Sequence, residues 1–306
     1  MATNKKPEVW VGAGKVLCYN YLMADKPKDK YGAVWVSHSS VGDFLKCPRA
    51  YYLHNVYKNP KTGRKINIVN PALALGQAVH EVVEGLANFK AEERFNQELL
   101  SVFDKVWEKV SGKKGGFKNA DEEAVAKERG RTMIERVMKN PGPLKNKTVR
   151  MKSGENGMPP NFYLSEDDNI ILCGKIDWLE YIPEKDAVKL LDFKTGRNEE
   201  SEDSLQLPIY HLLLKNCQPR PLAGASYWYL DRDDAPTPVV LPELEAGRKA
   251  VLAVARKVKE AREKKEFLCP KGEKGCFACR PFEKILRGEA EFIGTGEYNQ
   301  DVYVVD

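Results

Sequence analysis

The chain has 306 residues, of which 42% are apolar and 30% are charged, a composition typical of a soluble globular protein and too apolar for a disordered one. Its net charge of +5 is compatible with a polyanionic partner, but many proteins without such a partner carry as much. The sequence has no apolar run long enough to span a membrane and its first residues lack the apolar stretch of a secretory signal, so we expect a cytoplasmic protein.

The first half of the chain is predicted to be largely helical. Residues 1–36 have a mixed composition and are interpreted as an N-terminal extension, and helical spacing of apolar residues prevails over residues 37–147. Ser39 and Ser40 are candidate N-caps of the first helix. Pro71 is a favourable first-turn residue for a second helix with a broad apolar face.

The sequence period then changes to one typical of β-structure. Residues 148–235 contain several short segments rich in β-branched and aromatic residues, and the segment "PEKDA" at 183–187 predicts a turn that joins two of them into a hairpin. Residues 245–290 are expected to form a helix followed by a cysteine-rich segment, and residues 291–306 are interpreted as a tail. Helices followed by a sheet indicate a chain of mixed α and β structure.

Two charged residues stand at the end of the predicted second hairpin strand. Side chains alternate along a strand, so Asp192 and Lys194 point to the same side and Phe193 to the other. Asp177 ends the apolar run "NIILCGKI" and is predicted to lie on the strand before the turn, which can bring its carboxylate close to Asp192. Two adjacent carboxylates repel unless a proton or a cation lies between them; a hard divalent metal is the favoured third party, and Mg²⁺ prefers oxygen ligands. The alternative is an ordinary surface ion pair, because a D-x-K triplet occurs often by chance.

Two further segments carry polar residues suited to the same site. Gln206 and Tyr210 are one helical turn apart, on a helix that must begin close to Pro208, and both can lie over the strand end. His80 and Glu84 lie one turn apart on the face of another predicted helix. His80 can be a metal ligand, and the alternative is a histidine that is hydrogen-bonded to a neighbour.

These segments together resemble the RecB-like branch of the PD-(D/E)XK nuclease superfamily. The matching segments are "SVGDFLKCPRAYYL", "GQAVHEVVE", "GKIDWLEYIPEKDAVKLLDFKTG" and "QLPIYHLLL", over roughly residues 37–290. The resemblance implies an α/β fold with a restriction-endonuclease-like core, in which helices flank a mixed β-sheet.

The resemblance also implies roles for the residues of these motifs. His80, Asp177 and Asp192 would hold a metal ion together with the backbone carbonyl of Phe193, and Lys194 would be the catalytic lysine. In the helix motif, Gln206 and Tyr210 would position the lysine or the DNA. Glu84 would support the site.

The function implied by the resemblance is hydrolysis of DNA. We expect a deoxyribonuclease that depends on Mg²⁺ or Mn²⁺, with exonuclease action on single strands or ends favoured over endonuclease action. Related proteins act in DNA repair with a helicase, or in CRISPR adaptation, so a partner of either kind is expected. The alternative is a catalytically silent DNA-binding or scaffold module of the same fold, which would be expected to lack an aspartate or the lysine.

The cysteines indicate a second metal site. Without a secretory signal, clustered cysteines are better interpreted as metal ligands or core residues than as disulfides. Some RecB-like nucleases bind a [4Fe-4S] cluster through one cysteine like Cys47 and three near the C-terminus. This chain has Cys276 and Cys279 but has Ile285 where the last cysteine would fall, so Cys269 is the candidate fourth ligand. An iron-sulfur cluster is favoured, and zinc is the alternative.

The other cysteines, Cys18, Cys173 and Cys217, are interpreted as core or surface residues. Arg49 lies in the same segment as Cys47. It is a candidate for contact with a DNA phosphate, or alternatively for a structural salt bridge.

Overall fold

Residues 32–154 and 157–305 are described by a computed structural model. Their α-helices are α1 (His38–Lys46), α2 (Pro48–Tyr51), α3 (Pro71–Gly85), α4 (Leu99–Trp107), α5 (Ala120–Lys139), α6 (Gln206–Cys217), α7 (Leu244–Lys264) and α8 (Arg280–Leu286). Their β-strands are β1 (Val34–Val36), β2 (Ile66–Ile68), β3 (Asn161–Ser165), β4 (Ile170–Cys173), β5 (Trp178–Ile182), β6 (Ala187–Lys194), β7 (Leu222–Tyr229), β8 (Thr237–Val239), β9 (Glu291–Thr295) and β10 (Asp301–Val304). Within these residues, no helix is long and apolar enough to cross a membrane.

The central sheet has the strand order β5-β6-β7-β8. Strands β5 and β6 pair antiparallel across a turn at Pro183–Lys185, which confirms the predicted hairpin. Asp186 completes that turn with a φ of 41°, a left-handed conformation that Asp adopts more readily than most residues. Strand β7 runs parallel to β6 after the α6 crossover, and β8 runs antiparallel to β7, so the sheet is mixed.

Helices cover both faces of this sheet. Leu191 and Phe193 of β6 belong to the apolar core shared with α3, α4 and α5. Leu190 belongs to the core on the opposite face, shared with α6 and α7. Because side chains alternate along a strand, Asp192 lies on the α6 face with Leu190. The predicted class, α/β with a mixed sheet flanked by helices, is confirmed and has the layout of a restriction-endonuclease-like core.

The apolar run "NIILCGKIDWLEYI" does not form one strand. Its first part is β4, which pairs parallel with β1 and antiparallel with β3 in a separate sheet. The run breaks at Gly174, where the backbone passes so close to α6 that a Cβ would lie 2.7 Å from Leu213. Asp177 therefore lies immediately before β5, and the prediction that it lies on a strand is wrong.

Both predicted terminal segments contribute strands. Residues 1–31 of the predicted N-terminal extension, including Cys18, lie outside the described residues, and Val34–Val36 forms β1. Near the other end, β9 and β10 form an antiparallel hairpin within the predicted tail. Strand β10 also pairs parallel with β2, so this hairpin is joined to the first half of the chain.

The cap of α1 differs from the prediction. Ser37 is the N-cap, with extended backbone angles, and its hydroxyl accepts a hydrogen bond from the backbone N–H of Ser40. The Ser40 hydroxyl in turn accepts a hydrogen bond from the Ser37 backbone N–H. This reciprocal capping box satisfies two backbone donors at once, which explains why the helix begins before the predicted caps Ser39 and Ser40.

Candidate active site

The charged pair at the end of β6 is buried. The Asp192 side chain is 3% exposed and the Lys194 side chain 15% exposed, and Asp192 Oδ2 lies 2.9 Å from Lys194 Nζ. The Lys194 ammonium also lies over the ring of Tyr227 on β7, 4.8 Å from its centroid. The pair is thus not the exposed surface pair of the alternative interpretation. Burying two charges is costly unless other groups compensate them, so their neighbours matter.

Gln206, the first residue of α6, joins the members of this pair. Its Nε2 donates a hydrogen bond to Asp192 Oδ1 at 3.1 Å, and its Oε1 accepts one from Lys194 Nζ at 2.5 Å. Gln206 Nε2 also lies 3.2 Å from the Tyr210 hydroxyl, one helical turn further on. An amide offers both a donor and an acceptor, so one buried side chain can hold an anion and a cation in fixed positions. Pro208 lies in the first turn of α6, where proline is tolerated.

Asp177 is fixed to β6 by the backbone. The Phe193 N–H donates a hydrogen bond to Asp177 Oδ2 at 2.9 Å. Burial raises the pKa of Asp177 to about 7, and the negative charge of Asp192 adds to this increase. Burial also raises the pKa of Asp192, although the neighbouring Lys194 opposes it. At this site, burial therefore disfavours the ionised form of both carboxyl groups.

Helix α3 brings His80 and Glu84 to the same place. His80 Nδ1 lies 3.0 Å from Glu84 Oε1 and 3.6 Å from Asp177 Oδ2. The second carboxylate oxygen of Glu84 lies 2.5 Å from Lys175 Nζ. Burial alone would lower the pKa of His80, but the hydrogen bond to Glu84 and the charge of Asp177 outweigh it and raise the pKa above its ordinary value.

Helix α3 approaches the end of β6 closely at Gly76. A Cβ on Gly76 would lie 3.2 Å from Thr195 Oγ1, and Thr195 directly follows β6. Gly76 precedes His80 by one helical turn, so this tight contact lies beside the part of α3 that carries His80.

The donor set at this site fits a hard divalent cation. Ligand atoms of His80, Glu84 and Asp177 all lie within 4.8 Å of one another. Asp192 lies outside this compact group, and its buried Oδ2 atom is paired with Lys194 Nζ at 2.9 Å. Carboxylate oxygens and one imidazole nitrogen suit Mg²⁺ or Mn²⁺. Burial and the charge of Asp192 disfavour the ionised form of Asp177, and a cation bound beside it would stabilise that form.

Glu200 is a site residue that the sequence pattern did not indicate. It lies in the loop between β6 and α6, and its Oε2 atom is 2.9 Å from Lys194 Nζ. Burial alone would lower the pKa of Lys194, but its pairs with Asp192 and Glu200 raise the pKa above its ordinary value. Lys194 is thus held in its charged form. The loop "TGRNEESEDS" has no periodicity, so nothing in it distinguishes Glu200 from its acidic neighbours.

A cleft of about 800 Å³ opens beside the His80 and Glu84 side chains. Lys109, Lys114 and Lys175 also line it, and the opposite wall is the loop between β9 and β10. The cleft therefore reaches His80 and Glu84, and its walls carry acidic side chains, Glu81 and Glu297, as well as the lysines.

All four predicted cysteine ligands come together at a second site. The Sγ atoms of Cys47, Cys269, Cys276 and Cys279 lie within 4.8 Å of one another. Cys47 and Cys279 are fully buried. Ile285, at the position where related proteins would have a cysteine, is part of α8. The arrangement of the side chains therefore supports Cys269 as the fourth member.

The remaining candidates lie elsewhere. Cys173 is the last residue of β4 and Cys217 the last residue of α6. The Arg49 guanidinium forms an ion pair with Glu283, with Nε 2.6 Å from Oε1, which is the structural alternative to a DNA contact.

A sequence model of the PD-(D/E)XK nuclease superfamily matches residues 35–284. This range contains the β6 site, helix α3 and all four clustered cysteines, and it ends before β9. None of the curated proteins compared with the chain matches it.

Proposed function

Because the chain belongs to the PD-(D/E)XK nuclease superfamily, we propose that it is a metal-dependent deoxyribonuclease that acts at the end of β6. The observation that carries this proposal is the buried network in which Gln206 holds both Asp192 and Lys194. Burying a carboxylate and an ammonium next to a second carboxylate costs folding free energy. Clusters of buried charged groups with shifted pKa values are typical of functional sites.

The metal ligands we propose are His80, Asp177, Asp192 and the backbone carbonyl of Phe193, as the resemblance implies. Glu84 is close enough to His80 and Asp177 to join them. A divalent cation such as Mg²⁺ or Mn²⁺ supplies Lewis-acid polarisation of the phosphate and lowers the pKa of a bound water when it occupies such a site.

Lys194 is proposed as the catalytic lysine. Its ammonium can donate hydrogen bonds to the attacking water or to a non-bridging phosphate oxygen, where negative charge increases as the P–O bond breaks. Gln206 orients this ammonium, and Tyr210 holds Gln206 from the next turn of α6. Glu200 pairs with the same ammonium and would have to yield to the phosphate.

The substrate we propose is a DNA single strand or end that enters through the cleft beside His80. The lysines along the cleft can contact phosphates, which positions a strand without reading its sequence. For duplex DNA, we propose that unwinding comes from a partner, either a helicase in repair or the CRISPR-adaptation machinery.

The four cysteines are proposed to bind a metal cofactor through their thiolates. The resemblance implies a [4Fe-4S] cluster, with zinc as the alternative, and both are compatible with four cysteine ligands. Its ligands come from the segments that flank α2, α7 and α8, and none of them belongs to the carboxylate group of the proposed nuclease site.

The assay that tests the nuclease proposal compares variants on labelled single- and double-stranded DNA, with Mg²⁺, with Mn²⁺ and with a chelator. We expect cleavage that requires the metal and that falls by about 100-fold or more in Lys194→Ala and Asp192→Ala, as for other residues that stabilise transition-state charge. Lys189→Ala, on the same strand, is the matched control. Binding of DNA without cleavage in any metal would instead support a silent DNA-binding module.

End dependence is tested with a circular single strand. We expect the circle to resist while the linear form of the same sequence is degraded from one end, because exonuclease action requires a terminus. Equal cleavage of both forms would show endonuclease action.

A further inference from the structure

The four-cysteine cluster has the dimensions of a single-ion site. The Cys276 and Cys279 Sγ atoms are 3.8 Å apart, and the Cys279 and Cys269 Sγ atoms are 3.7 Å apart. In a tetrahedron with Zn–S distances of about 2.3 Å, neighbouring sulfurs are separated by about 3.8 Å. The observed separations match that edge, and all four sulfurs lie within 4.8 Å of one another.

A cubane cluster does not fit these separations. In a [4Fe-4S] cluster each cysteine binds a different iron at a separate corner, so the four thiolates stand outside the cube and further apart than around one ion. Disulfides do not fit either, because a sulfur–sulfur bond is about 2.05 Å long. The side chains would have to move apart for a cluster, or together in pairs for disulfides.

The local backbone supports a compact thiolate site. The Cys276 N–H donates to Cys279 Sγ at 3.2 Å, and the Lys271 N–H donates to Cys269 Sγ at 3.4 Å. Between them Gly275 has a φ of 67°, and a Cβ there would lie 3.2 Å from Cys279 Sγ. The turn therefore wraps the backbone around the sulfurs, and its N–H groups offset the negative charge that thiolates carry.

We infer that Cys47, Cys269, Cys276 and Cys279 bind one tetrahedral zinc ion, and not a [4Fe-4S] cluster. The ion is structural, because four protein ligands leave no open coordination position and zinc has no redox chemistry. It connects the junction of α1 and α2 to the segment between α7 and α8, which are far apart in the sequence.

The test is metal analysis of the full chain, purified without oxygen from cells supplied with both iron and zinc. We expect about one zinc per chain and no stoichiometric iron or acid-labile sulfide. Cys47→Ser and Cys276→Ser should lose the zinc, whereas Cys173→Ser and Cys217→Ser, the matched controls, should retain it. Stoichiometric iron and sulfide, a folded chain without metal, or full zinc in Cys47→Ser would each overturn the inference.

Two further measurements separate this inference from protein folding and from the nuclease proposal. Replacing zinc by Co²⁺ in the wild-type chain should give the intense visible bands of tetrahedral thiolate-bound cobalt, which requires no variant to fold, and their absence would count against the site. Asp177→Asn should retain its zinc while losing DNA cleavage. Loss of zinc in that variant would instead place the ion at the carboxylate site.

Discussion

Asp177 should make the metal-free protein less stable as the pH rises. Its pKa is about 7 in the folded chain, against an ordinary value of 3.8, because burial and Asp192 disfavour the charged form. Between these two pH values the folded state binds more protons than the unfolded state, so the free energy of unfolding falls as the pH increases. A pKa difference of about three units, at about 1.36 kcal/mol each, lowers the free energy of unfolding by at most about 4 kcal/mol.

Replacing this carboxyl by an amide should remove the effect. The amide oxygen introduced by Asp177→Asn can still accept the hydrogen bond from the Phe193 N–H, so the substitution changes the charge more than the contacts. In urea unfolding with a chelator present, the free energy of unfolding of the wild type should fall between pH 4 and pH 8 by up to about 4 kcal/mol more than that of the variant. The exposed Asp203→Asn is the control for removal of one negative charge.

The comparison must be made between the variant and wild type, since His80 and Asp192 also titrate. Both groups interact with the charge of Asp177, so the difference reports the titration of Asp177 together with its coupling to them. Parallel stability profiles for wild type and Asp177→Asn over this pH range would refute the reasoning. Added Mg²⁺ should reduce the wild-type loss at pH 8, because a cation bound between the carboxylates stabilises their charged forms.

Three further substitutions test the surroundings of the site. Gln206→Ala should lower the DNA cleavage rate by about 10- to 100-fold, measured as kcat, because Lys194 loses its acceptor and Asp192 a donor. Gly76→Val should cost about 1–3 kcal/mol in urea unfolding because it overpacks against Thr195, while Gly85→Val in the same helix has open space and should cost less. Arg94→Ala should cost about 3–5 kcal/mol by the same measurement, since this buried guanidinium donates to four backbone carbonyls, of Leu86, Phe89, Leu144 and Asn146.

Local patterns predicted the hairpin and the long helices well. The β5–β6 turn has proline and aspartate at positions that favour a turn, and α3 and α5 have apolar faces with regular spacing. The pairing of Gln206 with Asp192 and Lys194 also follows from local rules, because alternation along β6 and the start of α6 near Pro208 define which side chains can meet.

Other features depend on contacts that no local pattern contains. The break before Asp177 comes where Gly174 passes close to Leu213 of α6, a residue that is near it in space but not in sequence. Glu200 reaches Lys194 because of the path of an irregular loop. The spacing of the cysteine sulfurs, which distinguishes one ion from a cluster, depends on side-chain positions that the C-x-x-C pattern leaves undefined. Sequence therefore indicated the residue types, and the fold determined their distances.

The parallel pairing of β10 with β2 has a consequence for the order of folding during synthesis. In this pairing Asp301 is aligned with Ile66, so β2 has no strand partner until nearly the entire described chain has left the ribosome. Such long-range pairing is slow to form and leaves a strand edge exposed in the meantime. Cys47 likewise must await Cys269, Cys276 and Cys279. Folding of the helical half should thus remain reversible until the last strands arrive, and a nascent chain halted before residue 269 should stay sensitive to protease around β2.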